Sequence, residues 1–324
     1  MKNINCILCN LPSDKIVISE NNFNGVKCDN CELIYISPRP NEEEMINFYH
    51  GESDFGDGTS PYLDAKVRYR VSKSKKIHAS NTIKNLKKFK QKGSLIEIGP
   101  GPGLFMMEAK KNQFKTIGLE INPSRAHYLE TLGFECITSP LEKIDLNNFS
   151  KADIVYHCDV MAHFYEPVKA INIMSNMLKE DGILMIETGN IPELSNFWIS
   201  SFSSFHYPGH LFFFSEKSLS KLLKQNGFEI LEVKRYPSIF NIFYEKIVKI
   251  LKNLFNLKKQ RNLRSSNKEN KTFEKEIKFR ASILDKTISK INSFKAFLQY
   301  KILHLIPFLK NTPSQIVIIA KKVS

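Results

Sequence analysis

The chain has 324 residues, of which 42% are hydrophobic, and a net charge of +14. That length suits one large or two modest domains with a sizeable core, and the absence of an 18-residue apolar run excludes an ordinary spanning helix. Residues 234–311 hold 19 Lys and Arg against 5 Asp and Glu, so the basic charge belongs to that segment and the rest of the chain is neutral.

The chain starts without an apolar leader and reads as cytoplasmic, with reduced cysteines. Cys6-x-x-Cys9 and Cys28-x-x-Cys31 have the spacing of a four-thiolate zinc site. Ile16 to Ile18 and Val26-Lys27 read as short strands between the two knuckles, so residues 1–40 are expected to form a zinc ribbon. Four thiolates close the metal shell, which makes the expected role structural. Free thiols or a redox dithiol are the alternative. Cys136 and Cys158 read as core thiols.

Pro38 and Pro40 stop the preceding strand, Asn41 is a good N-cap, and Glu42, Glu43 and Glu44 favour a first helical turn, with the helix running to about His50. Residues 51–60 read as a loop, and 61–90 as a Lys-rich, broadly helical leader. Together 41–92 are expected to form a helical leader.

Leu95 to Ile98 reads as a buried strand running into Gly99, Gly101 and Gly103, followed by a helix from Leu104 to Phe114. The glycines let the backbone approach a ligand closely, and the helix N-terminus beyond offers free N–H groups. The next strand, Lys115 to Leu119, ends at Glu120, 23 residues after Glu97 and close to the spacing at which an acid meets ribose hydroxyls. Strand, glycine loop, helix and spaced acid together indicate a nucleotide-binding βαβ unit. A dinucleotide fingerprint would place a third Gly at 104, where Leu104 stands, and no phosphate-loop Lys-Ser/Thr follows.

A helix opened by Asn122-Pro123 runs to Leu132, and Phe134 to Ile137 is a third strand. Ala152 to Cys158 is the fourth, with Asp159 and His163 in the loop after it. Val168 to Leu178 is an amphipathic helix, 179–182 a turn and Ile183 to Glu187 a fifth strand. Residues 188–214 are irregular and aromatic, Ser215 caps a helix that stops at Gly227, and Phe228 to Val233 is the sixth strand. Gln315 to Ala320 is the seventh. Between the sixth and seventh lie two apolar-basic stretches, Ile239 to Leu257 and Phe294 to Leu309, with highly charged residues 258–278 between them.

The phrase Glu97-x-Gly99-x-Gly101-x-Gly103 resembles motif I of the class I S-adenosylmethionine (SAM)-dependent methyltransferases. The resemblance covers residues 1–233 and 314–322. It implies an α/β fold, a Rossmann-like seven-stranded sheet with an antiparallel last strand, here with an N-terminal zinc ribbon and a helical basic insert at 234–313 between strands six and seven. The core would be 93–233, completed by 314–324. The resemblance assigns cofactor contact to Glu97, Gly99, Gly101, Gly103 and Glu120. Asp159 and His163 match the family's motif IV, where Ala162 replaces the usual Glu. The residues after strand three lack the Asp that meets adenine, and Leu141 or Glu142 would substitute.

The ribbon and the Pro38-Arg39-Pro40 turn resemble the leader of a subgroup that includes sugar methyltransferases of surface-polysaccharide pathways, which would make 41–92 a leader covering the active site and lay Tyr62 over the cofactor. The phrase from His206 to Ser215 resembles that subgroup's "H-x-x-E-H-L…F-S". It nominates His210, then His206, as general base, with His163 orienting substrate. Gly209 stands where a Glu partner is expected, which argues against carbon methylation and for a hydroxyl acceptor. The expected function is methyl transfer from SAM to a sugar or glycan intermediate. The alternatives are an RNA-modifying enzyme and a non-catalytic SAM-binding or membrane-associated protein. Absence of an N-P-P-Y signature lowers the odds of a nucleic-acid amine. The amphipathic stretches of 239–309 suggest peripheral contact with the inner face of an anionic membrane, or packing on the chain's own core or on a second subunit, with RNA binding as a third reading.

Overall fold

Six residues, Gly93 to Ile98, form the strand at the middle of the fold, and the period of two sends its side chains to opposite faces. In the computed structural model, which describes residues 1–50, 73–146, 150–240 and 289–323, Leu95 faces one buried cluster and Ile96 and Ile98 face the other. Tyr62, the loop at 51–60, the charged stretch 258–278 and all but the first two residues of the Ile239 to Leu257 stripe lie outside the described residues.

The ribbon contributes β1 (Ile16–Glu20), β2 (Phe23–Lys27) and β3 (Ile34–Ile36), and the central strand is β4. The core adds β5 (Phe114–Leu119), β6 (Glu135–Ile137), β7 (Ala152–Cys158), β8 (Leu178–Gly189), β9 (Phe212–Phe213), β10 (Phe228–Pro237) and β11 (Ser314–Lys322). Seven of these make one sheet in the order β10-β11-β8-β7-β4-β5-β6. Strands β4 to β8 pair in parallel, and β11 lies between β8 and β10, antiparallel to both. This is the Rossmann-like sheet with an antiparallel last strand that the sequence implies. The inner strands read as unbroken apolar runs because both faces are covered.

One face is covered by α2 (Lys73–Leu86), α3 (Leu104–Lys111) and α8 (residues 289–301), through Ile83, Leu86, Phe105, Ala296 and Tyr300. The other is covered by α5 (Pro167–Met177) and α7 (Glu216–Gln225), through Ile171, Met174, Leu219 and Leu222. Helix α4 (Pro123–Thr131) starts at Asn122, whose side chain accepts the Arg125 N–H. A short α6 (Asn196–Ile199) lies in the aromatic stretch. Asn41 and Glu44 cap α1 (Glu42–His50) reciprocally, each side chain accepting the other's backbone N–H at 2.8 and 2.7 Å.

The boundaries differ from the sequence expectations in three places. The helix after the glycine loop ends at Lys111, and Phe114 opens β5, buried in the core. The turn at 179–182 is a bulge within β8, since Ala152 pairs with Leu178 but Ile154 pairs with Ile183. Strand β10 continues to Pro237 through Lys234 and Arg235, which look unlike strand residues. Their charges are met across the fold: Lys234 Nζ reaches Asn85 Oδ1 at 2.6 Å, and Arg235 pairs with Glu193 and Glu216.

The ribbon is joined to the core by pairing. Its sheet has the order β1-β2-β3-β9, so the fourth strand comes from residues 212–213. Ile34 pairs with Phe213 and Tyr35 with Phe212. Phe212 and Phe214 are fully buried, each contributing about 1.5–3 kcal/mol of transfer free energy.

Candidate active site

In a parallel sheet the C-terminal strand ends form the ligand crevice, and the predicted cofactor residues fall there on neighbouring strands. Gly99, Gly101 and Gly103 adopt φ of +65°, +52° and +70°. That region penalises any residue with a Cβ. A Cβ on Gly99 would lie 2.9 Å from Val160 Cγ2, and one on Gly103 2.5 Å from Leu129 Cδ2. The loop is therefore held against the turn after β7 on one side and α4 on the other. Gly99 N–H donates to Leu119 O at 2.8 Å, tying the loop to the end of β5.

Glu97 is buried, and its Oε2 has no hydrogen-bond partner among the described residues. Burial holds its carboxyl well above the usual range, with Glu187 adding to the effect. Glu120 is buried at the end of β5, and its Oε1 accepts the Asn122 N–H at 3.0 Å, with Arg125 at 3.9 Å. Burial raises its pKa also. Leu141 is buried just beyond β6. Asp159 follows β7 with φ +56°, and its N–H donates to Glu187 O at 2.9 Å. A loop without room for Cβ, a buried acid with one oxygen unpartnered among the described residues, a second buried acid in Glu120 and Asp159 at the same sheet edge fit a ligand with a cationic sulfonium and ammonium. SAM has both.

The three histidines singled out from sequence meet beside the turn after β7. His163 and His210 ring centroids lie 4.7 Å apart, and His206 and His210 5.3 Å. His163 Nδ1 contacts Gly209 O at 2.9 Å. His210 packs edge-on against Phe213, and its Nδ1 has no partner among the described residues. Burial, with His163 and His206 beside it, pushes His210 down to about 3. A Cβ on Gly209 would stand 3.0 Å from Phe48 Cε1 and 3.1 Å from His206 O, so the Glu expected there would need Phe48 and the loop to give by a few tenths of an ångström.

The ribbon braces this loop. Glu20, at the end of β1, accepts the backbone N–H of Phe205 at 3.0 Å and of Tyr207 at 2.8 Å. The sulfurs of Cys6, Cys9, Cys28 and Cys31 all lie within 4.8 Å of one another, and Cys6 Sγ to Cys31 Sγ is 3.4 Å. A tetrahedral zinc thiolate has sulfur–sulfur edges of about 3.8 Å, from a Zn–S bond of about 2.3 Å. The cluster has the size for that ion.

A second group at the ends of β7 and β8 went unassigned from sequence. Glu187 is buried and receives Thr82 Oγ1 at 2.7 Å, Tyr156 OH at 3.2 Å and Gln315 Nε2 at 2.7 Å, with His78 Nε2 at 2.6 Å. Burial opposes its charge, but His78 and these bonds hold it below the usual carboxylate range. The signal was available: Glu187 stands at the C-terminal end region of an apolar strand, as Glu97 and Glu120 do. His78 had no such signal, since the Lys-rich leader shows no pattern around it. A cavity of about 320 Å³ opens beside this group. A wider depression of about 1180 Å³ between the ribbon and α7 lies away from the glycine loop, lined by Lys27, Glu193 and Lys221 among others.

The sheet order, the glycine loop and the buried acids define a class I SAM-dependent methyltransferase. The chain belongs to the methyltransferase-domain family, whose sequence model matches residues 68–233. Among solved structures it is similar to coclaurine N-methyltransferase bound to N-methylheliamine and S-adenosylhomocysteine, at 12% identity, over 76% of this chain and 70% of that one, with a TM-score of 0.48. A SAM-dependent methyltransferase from Archaeoglobus fulgidus is 19% identical over 81% of this chain and 100% of its own, with a TM-score of 0.48. A mycolic acid cyclopropane synthase complexed with S-adenosylhomocysteine is 16% identical over 74% of this chain and 83% of its own, with a TM-score of 0.45. No curated protein matches the chain.

Proposed function

We propose that this methyltransferase acts on the hydroxyl of a small acceptor, a sugar or glycan intermediate. Glu97, Gly99, Gly101, Gly103 and Glu120 would hold SAM, with Leu141 and Asp159 flanking it. SAM supplies a methyl group on a sulfonium, so the protein's task is to align the acceptor and remove its proton. The observation that carries the hydroxyl reading is the histidine cluster with Gly209 in its midst. It offers imidazole rings to a hydroxyl, and Gly209 leaves out the carboxylate expected there for carbon chemistry. His210 is one candidate base, since its Nδ1 is partnerless. Burial and two neighbouring histidines oppose the charge it would gain. Cys6, Cys9, Cys28 and Cys31 would hold a structural zinc.

A membrane-borne acceptor is favoured by one observation. Helix α8 exposes Ile291, Phe294 and Phe297 beside Lys290 and Lys301, an arrangement that suits an anionic lipid surface. No described helix is long and apolar enough to cross a membrane.

The test is incubation with methyl-labelled SAM and a fractionated extract of the source cell, with Gly101→Arg as control. Label in the sugar or lipid fraction is expected. Label in RNA would overturn the acceptor class, and SAM binding without transfer would point to the non-catalytic alternative.

A further inference from the structure

The cavity beside Glu187 is built from six separate parts of the chain, two of them Gly189 of β8 and Ser238 after β10. Helix α2 supplies Lys75 and His78, the end of β7 supplies Cys158 and Asp159, β11 supplies Gln315, and α8 supplies Tyr300. Its volume of about 320 Å³ is at the lower end of the range for small-molecule sites. Asp159 places it in the crevice beyond the parallel strands, one strand over from the glycine loop.

Within it, His78 and Glu187 make a pair. Nε2 of His78 meets Glu187 Oε2 at 2.6 Å, so the hydrogen-bonded tautomer carries its proton on Nε2 and leaves a lone pair on Nδ1. The side chain of His78 is 17% exposed and that of Glu187 1%. The imidazole stacks on Tyr300, with centroids 5.3 Å apart, and Tyr300 OH in turn donates to Gln315 Oε1 at 2.6 Å. Ring orientation is therefore set from two sides, by Glu187 and by Tyr300. Cys158 Sγ lies near enough for His78, Cys158 and Glu187 to be weighed as metal ligands. Both Glu187 oxygens already accept from protein donors, however, which suits a carboxylate that steadies an imidazolium rather than one awaiting a cation.

The contrast with His210 is physical. A base must carry a positive charge once it has taken the proton. At His210 the neighbours are two histidines, a phenylalanine and the Phe205 backbone, whose single hydrogen bond is the one contact favouring the charge. At His78 the neighbour is an ionised, fully hydrogen-bonded carboxylate.

We propose that this cavity receives the methyl acceptor, a compact hydroxylated molecule, and that His78 is its catalytic base, with Glu187 as the positioning residue. The inference rests on the hydroxyl-methylation reading and sharpens it. As the acceptor oxygen bonds to the methyl carbon, its O–H bond breaks and the proton moves to Nδ1 of His78. The carbon–sulfur bond gives its electron pair to sulfur. The imidazolium, held by Glu187, then returns the proton to water. The insert between β10 and β11 becomes part of the active site, because α8 forms one wall of the cavity.

The test compares wild type, His78→Ala and His78→Gln on the acceptor fraction that the wild type labels. Both variants should lose kcat by about 10²-fold or more, and added imidazole should restore part of it in His78→Ala. Calorimetric titration with S-adenosylhomocysteine should give affinities within about twofold of wild type. Long-range proton–nitrogen spectra of the ¹⁵N-histidine wild-type protein should show His78 protonated on Nε2. A tenfold loss of S-adenosylhomocysteine affinity would assign the cavity to the cofactor and overturn the proposal. So would unchanged kcat in the variants, or an Nδ1–H tautomer. Wild-type inactivity on every fraction overturns the hydroxyl-methylation reading and the dyad together; wild-type activity that survives loss of His78 overturns the dyad alone.

Discussion

His157 should make this fold acid-sensitive in a way that one substitution removes. The ring lies on β7 with no exposed surface, and neither nitrogen has a partner among the described residues. Burial pushes its pKa down to about 3. The unfolded value is about 6.5. Between those values the unfolded state binds a proton that the native state refuses, so stability falls as pH drops. At pH 7 the cost is about 0.2 kcal/mol, and at pH 5 about 2 kcal/mol, from 0.59 kcal/mol times the logarithm of the two binding terms. Glu97 acts with the opposite sign, because its raised pKa favours the native state on acidification. The measurement must therefore be a difference. His157→Leu has nearly the same volume and removes two partnerless nitrogens, so at pH 7 it should be neutral or up to about 2 kcal/mol more stable than wild type. Urea unfolding followed by circular dichroism should show that advantage growing by about 1.9 kcal/mol between pH 7 and pH 5. An advantage unchanged between the two pH values would refute the reasoning, since His157 would then be protonated in the native state or satisfied within it.

Gly99→Ala should weaken S-adenosylhomocysteine binding at least tenfold by calorimetry, because φ is +65° and its Cβ would meet Val160 at 2.9 Å. Unchanged affinity would mean the loop can shift without loss. With zinc held by the four thiolates as proposed, Cys28→Ser should lower the zinc content read by elemental analysis, and raise the acceptor KM more than it weakens S-adenosylhomocysteine binding. The reason is that the ribbon holds the histidine loop through β9 and Glu20. Asp153 accepts from Ser94 N and Oγ at 2.8 Å and from Lys179 Nζ at 3.0 Å, which hold it at about 2 against the opposition of burial. Its folded pKa is depressed, so its contribution is present above about pH 4 and fades as pH falls through about 2. Asp153→Asn should cost about 1–2 kcal/mol at pH 7, and the gap from wild type should narrow at pH 2.5.

Much of the sheet was legible because buried parallel strands announce themselves. Ala152 to Cys158 matches β7 at both ends, since an apolar run carries it, Asp153 and Tyr156 are paired, and only His157 sits inside without a partner among the described residues. Strand β10 was cut short in the sequence reading because Lys234 and Arg235 look like solvent residues, and their partners, Asn85, Glu193 and Glu216, are distant in the chain. The four-cysteine cluster was legible from spacing alone, since two tight knuckles at that separation have few other uses. Its sulfurs do come together.

Sequence by itself determined the class: a glycine loop after an apolar strand, an acid one strand later and a last apolar strand leave few folds open. Those signals are local, each carried by residues within a strand and its turn. Tertiary structure alone decided which polar groups share a site. Packing brought His78 to Glu187 across 109 residues and Gln315 to Glu187 across 128. It also made the ribbon and the histidine loop one sheet, through Tyr35 and Phe212. A buried carboxylate must be satisfied, and the donors that satisfy it are chosen by the fold, wherever in the chain they stand.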